Sequence, residues 1–253
     1  MSDFRIWGVV PAAGSGRRFG RVGPKQYVLL AGRPVLSWSL RALLGVEGIS
    51  GITVALGAED PHWAGIDEAH HPLVRACLGG AERQDSVRAA LRDLLARGAD
   101  EWDRVLVHDA ARPGLRTGQA EELVDAVGDD VHGGLLALPV GDTLKHSPEN
   151  RQVQKTIPRD CLWAAQTPQY FPIGLLLRAL ERAVERGLPA TDEASAMEQL
   201  GYRPRLVVGS LRNMKLTHVS DREALELLLS EPASASDISD ETHLAYLRER
   251  ARG

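Results

Sequence analysis

The chain has 253 residues, 43% hydrophobic and 25% charged, a globular balance that excludes wholesale disorder and collagen-like repeats and allows one large or two small domains. Its 30 basic and 34 acidic side chains leave a net charge of −4, so there is no footprint for general nucleic-acid binding and any anion site must be local. No apolar run approaches the roughly 18 residues of a membrane helix and Met1 to Gly8 lacks the order of a signal peptide, so a soluble, cytoplasmic protein is expected, without membrane or nucleic-acid partners.

In chain order, Val-, Ile- and Leu-rich runs predict strands at Ile6 to Val10, Ile52 to Leu56, Leu73 to Leu78, Arg104 to His108, Gly134 to Pro139 and Arg205 to Val208. Helical periods fall between and after them, near Pro34 to Leu44, Asp85 to Ala96, Thr117 to Val127, Ile173 to Arg186, Glu193 to Leu200 and Asp221 to Leu229. The alternation predicts a doubly wound α/β fold with a mostly parallel sheet, whose ligands bind beyond the carboxyl ends of the strands. Val140 to Trp163 breaks it: the stretch is polar, turns at Ser147-Pro148-Glu149-Asn150, and reads as a protruding β-hairpin arm. An isolated hairpin is marginal in water, so a partner surface is expected for it. Residues 1–230 thus form one domain with an arm at about 140–163, and 231–253 read as a flexible linker and a short charged helix.

The first strand leads into Pro11-Ala12-Ala13-Gly14-Ser15-Gly16-Arg17-Arg18, with Arg21 and Lys25 close behind and no Asp or Glu from Phe4 through Val46. Small residues let backbone N–H groups approach an anion, and the four basic side chains add charge, so this loop is built to hold phosphate. It is not a dinucleotide fingerprint, because Gly20 falls one position late for the third glycine and the ribose-binding acid is absent. Nor is it a P-loop, since Lys25 lies between Pro24 and Gln26 with no hydroxyl after it to hold magnesium.

The loop with Pro24-Lys25-Gln26 resembles the signature of nucleotidyltransferases acting on sugar and polyol phosphates. Gly79-Gly80-Ala81-Glu82-Arg83-Gln84-Asp85-Ser86, His108-Asp109-Ala110-Ala111-Arg112-Pro113, Thr167-Pro168-Gln169, Thr191-Asp192-Glu193-Ala194-Ser195 and Asn213-Met214-Lys215-Leu216-Thr217 follow in register. Together they resemble the 2-C-methyl-D-erythritol 4-phosphate cytidylyltransferase family from about Ile6 to Leu229. The resemblance implies a nucleotidyltransferase (Rossmann-like) sheet and transfer of CMP from CTP to the methylerythritol phosphate, with loss of pyrophosphate, in non-mevalonate isoprenoid synthesis. It implies Arg18, Lys25 and Lys215 as the catalytic cations on the phosphates. Nucleotide contacts would come from Pro11, Ala12, Ala13, Gly14, Gly16, Gly80, Ser86, Asp109 and Ala110. Asp109, Arg112, Thr167, Thr191 and Asp192 would lie near the acceptor, and Thr143 and Arg159 on the arm would reach the acceptor phosphate of a neighbouring subunit in an arm-exchanged homodimer. Asp109 is also the candidate ligand for Mg²⁺ or another divalent cation. Many relatives carry an acid where this chain has Ala81, so a side-chain contact to the ribose is not expected.

The remaining chemistry-bearing residues read as structural. His62, His70 and His71 lack a third ligand at metal-binding spacing, and His108 at a strand end reads as a hydrogen-bonded group. Cys77 and Cys161, without Cys-x-x-Cys spacing, read as reduced thiols. Two other functions fit the same scaffold: ribitol 5-phosphate cytidylyl transfer, against which Asp142-Thr143 and Arg159 on the arm weigh, and a non-catalytic CTP-binding module, against which Arg18, Lys25, Asp109 and Lys215 weigh.

Overall fold

The computed structural model describes residues 4–14, 24–148 and 150–230. A seven-stranded sheet is built from β1 (Ile6–Pro11), β4 (Ile49–Leu56), β5 (Val74–Leu78), β6 (Arg104–Val107), β7 (Gly134–Pro139), β10 (Trp163–Pro172) and β11 (Arg205–Val208). Its strand order is β11-β7-β10-β6-β1-β4-β5. All neighbours are parallel except β10, which runs antiparallel to both β6 and β7. The six strands expected from the sequence are present, with β1 extended to Pro11 and β4 beginning at Ile49 rather than Ile52. The order reverses between β1 and β6, the switch point at which such sheets open a crevice.

Successive side chains of a strand face opposite sides, and the core divides accordingly. Val10, Leu106, Leu136 and Tyr170 face α1 (Val35–Leu44) and α3 (Thr117–Val127). Their neighbours Val9, Val107, Leu135 and Phe171 face α2 (Arg83–Ala96), α4 (Ile173–Glu185) and α5 (Glu193–Gln199). A smaller cluster, Leu30, Val35, Leu216, Leu225 and Leu229, seats α6 (Asp221–Ser230) against the short hairpin of β2 (Leu29–Leu30) and β3 (Arg33–Pro34). Because Leu216 is fully buried there, the Met214–Thr217 segment is pinned from below.

The short β2–β3 hairpin is unpredicted, and the one strand of the main sheet that the sequence does not predict is β10. Its Gln166, Thr167, Pro168 and Gln169 do not read as a central strand, and the β10–β7 register breaks between Ala165 and Gln169. The arm is a hairpin of β8 (Leu144–His146) and β9 (Lys155–Ile157), with Val153 63% exposed. Trp163 belongs to β10, paired with Pro139, so the arm ends earlier than the expected boundary. Residues 231–253, read as linker and helix, lie outside the described residues.

Candidate active site

A cleft of about 640 Å³ opens at the carboxyl ends of β1, β5 and β6. Pro11 to Gly14 line one wall, Gly80 to Arg83 with Ser86 another, Asp109 to Ala111 the floor, and Lys25, Lys215 and Thr217 the side facing α6. Ten expected site residues converge there: Pro11, Ala12, Ala13, Gly14, Lys25, Gly80, Ser86, Asp109, Ala110 and Lys215. Gly16 and Arg18 lie outside the described residues.

The wall after β5 is shaped by close packing. A Cβ on Gly79 would stand 2.6 Å from Ala13 Cβ, and one on Gly80 would stand 2.3 Å from Asp85 Cβ, so both positions require glycine. The Ser86 hydroxyl accepts the Gly80 N–H at 3.1 Å and is 2% exposed as a residue. It shapes the turn that lines the cleft. Opposite, the Ala12 N–H donates to the Ala55 carbonyl at 2.8 Å and the Ala12 carbonyl accepts from Gln26 Nε2 at 2.8 Å. Gln26 also donates to the Gly14 carbonyl at 3.2 Å, tying its own segment to the residues that follow β1. Buried polar side chains make such bonds because leaving one unmade costs about 1–3 kcal/mol.

Asp109 stands at the centre of a cationic cluster. Its Oδ1 accepts from Arg83 Nε at 2.8 Å, its Oδ2 accepts from Lys215 Nζ at 2.7 Å, and Arg112 Nε stands 3.8 Å from Oδ2. Burial opposes its charge, but Arg83, Lys215 and Arg112 together hold the carboxyl well below the usual aspartate range. Arg83 also grips Glu193 with both terminal nitrogens, at 2.6 and 2.9 Å. Burial pushes the Glu193 carboxyl up while Arg83 pulls it back, leaving it above its ordinary value. Lys25 Nζ donates to the Leu216 carbonyl at 3.0 Å, and Leu216 N–H donates to Ala111. The two lysines therefore approach the cleft from one buttressed side.

Thr167 is 4% exposed and does not line the cleft. Its hydroxyl accepts the Asp109 N–H at 3.0 Å and lies 2.9 Å from His108 Nδ1. A hydroxyl donating to Nδ1 leaves the histidine proton on Nε2, which faces the Arg112 carbonyl at 3.1 Å. Burial pushes the His108 imidazole down to about 4, so it is neutral and structural, as expected. Arg112 donates to the carbonyls of Asn213, at 2.7 Å, and Ala165, at 3.3 Å. Asp192 caps α5 by accepting Ser195 N–H at 2.9 Å, and its Oδ2 accepts from the buried Gln169 at 2.9 Å. Thr191 is exposed beside it. Thr143 and Arg159 are on the arm, where Arg159 donates to the Gly141 carbonyl, and neither lines the cleft of its own chain. Sequence reasoning assigned no role to Arg83, Glu193, Gln26 or Gln169. The available signal was their place inside the quoted motifs.

A protein-family model described as 2-C-methyl-D-erythritol 4-phosphate cytidylyltransferase matches residues 6–231. The enzyme of that name from Halorhodospira halophila is 48% identical over 238 residues, 92% of this chain and 97% of the relative. That from Pseudomonas putida GB-1 is 45% identical over 220 residues, 87% of this chain and 94% of the relative. Among solved structures, a 4-diphosphocytidyl-2C-methyl-D-erythritol synthase superposes with a TM-score of 0.78 at 39% identity, covering 91% of this chain and all of that one. The Francisella tularensis cytidylyltransferase gives 0.76 at 32% identity, over 88% of this chain and 99% of its own.

Proposed function

The chain belongs to the 2-C-methyl-D-erythritol 4-phosphate cytidylyltransferase family and transfers CMP from CTP to the methylerythritol phosphate, and from that premise we propose how its residues divide the work. An acceptor phosphate oxygen attacks the α-phosphorus of CTP, forming a P–O bond, while the bond to the β-phosphate oxygen breaks and pyrophosphate leaves. No covalent nucleophile is needed, so catalysis is positioning plus stabilisation of developing negative charge. Lys25 and Lys215 take the α-phosphate oxygens, and Arg18 takes the phosphate chain. The main chain of Ala13 and the Gly79–Gly80 turn face the cytosine. The observation that carries this reading is the convergence of Lys25 and Lys215 on one cleft, at the sheet's switch point, opposite a glycine turn too tight for any side chain.

Mg²⁺ fits this donor set in one way. Among the described residues no group of three His, Cys, Asp or Glu could hold a metal, and both Asp109 oxygens already accept from cations. A single carboxylate suits a cation carried by the triphosphate, as Mg²⁺ commonly is, with Asp109 supplying one oxygen. When bound, the ion neutralises phosphate charge.

Arg112, Thr167, Thr191 and Asp192 lie along the acceptor side, Thr167 acting through the Asp109 main chain it holds. Thr143 and Arg159 reach the acceptor phosphate of a second subunit, making an arm-exchanged homodimer. What supports this is an arm that is largely exposed and too small to be stable alone. No described helix is long and apolar enough to cross a membrane, and we assign the enzyme to the cytoplasm.

The deciding experiment is a pyrophosphate-release assay with CTP and Mg²⁺, run with methylerythritol phosphate, with ribitol 5-phosphate and with other nucleoside triphosphates. Turnover preferring methylerythritol phosphate and CTP is expected. A preference for ribitol phosphate, or CTP binding with no release for any acceptor, overturns the assignment. Sedimentation as a monomer would remove the exchanged arm.

A further inference from the structure

Arg83, the first residue of α2, joins three parts of the molecule that are far apart in sequence. Its Nε donates to Asp109, 26 positions away, and its two terminal nitrogens donate to Glu193, 110 positions away. Through Asp109 the chain of contacts reaches Lys215 at 2.7 Å. Glu193 is fully buried and opens α5 directly after Asp192. The neighbouring Gln84 accepts the Ala190 N–H at 3.0 Å, so the start of α2 holds the Ala190–Glu193 loop at two points. The same start of α2 follows the Gly79–Gly80 turn. One short segment thus carries the base-facing turn, the Asp109–Lys215 pair and the acceptor-side loop.

We propose that Arg83 is a positioning residue for cytidylyl transfer, whose planar fork, closed on Glu193 and Asp109, sets the acceptor-side loop and Lys215 in register with the nucleotide. Stability alone does not account for it. Burying this much charge is costly, and replacing a buried ion pair by apolar groups of similar volume is often neutral or stabilising. A lysine supplies the charge but cannot span two carboxylates in fixed directions. Misplacement of a reacting group by about 1 Å costs on the order of 100-fold in rate, so the fork's worth lies in geometry.

The inference rests on the proposed cytidylyl transfer, and its test separates the two. The full-length enzyme is compared with Arg83→Lys, with Glu193→Gln, and with the apolar pair Arg83→Met/Glu193→Leu. Melting temperature, CTP affinity by calorimetry, and kcat and KM for each substrate are measured. Arg83→Lys and Glu193→Gln are expected to lower kcat by about 10- to 100-fold and to raise KM for the acceptor, with CTP affinity changed less than about twofold. The apolar pair is expected to recover melting temperature without recovering kcat. Recovery of kcat together with stability, or an Arg83→Lys enzyme with wild-type constants, overturns the inference. Should the apolar pair fail to fold, the two single variants decide by the same kinetic split. Failure of the wild-type enzyme to release pyrophosphate sinks the functional reading instead, whatever the variants do.

Discussion

Replacing Asp109 by Asn tests the cationic cluster most directly, because it removes one charge and keeps the shape. Lys215 is 38% exposed and can turn its ammonium to water, so its share of the loss is small. Arg112 keeps its bonds to the Asn213 and Ala165 carbonyls. Arg83 keeps Glu193 but loses half of its compensating charge in a place where Asp109 itself is only 9% exposed. Removing one partner of a buried pair costs 3–5 kcal/mol, and the surviving Glu193 puts this case at the lower end, about 3 kcal/mol. For a domain of this size that corresponds to a melting temperature lowered by roughly 6–12 °C. Calorimetry at neutral pH measures it. The acid limb gives a second reading of the same charge. The Asp109 pKa in the fold lies below its ordinary 3.8, so its stabilisation is fully present above 3.8 and is lost as pH falls through the lower folded value. Asp109→Asn has no such loss to make. A variant melting within about 2 °C of wild type, less than 1 kcal/mol on that scale, would refute the electrostatic account of the floor of the cleft.

The other expectations concern the groups around that floor. His108 is lowered from 6.5 to about 4, so the unfolded chain takes a proton that the fold refuses between those values; stability should fall by about 3 kcal/mol from pH 6.5 to 4, and pH-resolved denaturation of His108→Gln should be flatter in that window. Gly80→Ala would put a Cβ 2.3 Å from Asp85 Cβ, forcing the turn outward, and CTP affinity by calorimetry should weaken about tenfold or more, with a lowered melting temperature as the start of α2 shifts to relieve the clash. Gln26→Leu strips the donor shared by the Ala12 and Gly14 carbonyls; a loss of about 1–3 kcal/mol in stability and weaker CTP binding are expected from the same two measurements.

The alternation of apolar runs located six strands of the main sheet: β1, β4, β6 and β7 are largely buried between helices, and such strands read as near-continuous Val, Ile and Leu, while the partly exposed edge strands β5 and β11 keep enough apolar residues to be read the same way. β10 escaped for the opposite reason. Its Gln166, Thr167 and Gln169 are 5%, 4% and 1% exposed, yet each is polar because it ties the sheet to a loop of the site: Gln166 to Ser210, Thr167 to Asp109, Gln169 to Asp192 and Ala194. A strand whose interior side chains serve as fasteners shows no hydrophobic period. Its motif, Thr167-Pro168-Gln169, was visible as chemistry and invisible as structure.

The site itself was legible as a set of residue types and not as a network. Lys25 could be singled out in the cationic loop it closes, and Asp109 and Lys215 through the family motifs that surround them, His108-Asp109-Ala110-Ala111-Arg112 and Asn213-Met214-Lys215-Leu216-Thr217. Nothing local distinguishes Arg83 from Arg88 or Arg92 on the same helix, of which one pairs with Asp85 three residues back and the other with Glu181 at the surface. What separates Arg83 is its reach to two buried acids, and that depends on the carboxyl end of β6 and the start of α5 lying side by side, a consequence of the strand order. The same reasoning explains why Thr167 and Ser86 stand out in the sequence by residue type alone, while their second task appears only in the fold: Thr167 holds the Asp109 N–H beneath the cleft, and Ser86 lines the cleft and holds the Gly80 N–H. A phosphate site needs rigid directions as much as charge, and the residues that supply rigidity are recognised by what they hold, which only the folded chain displays.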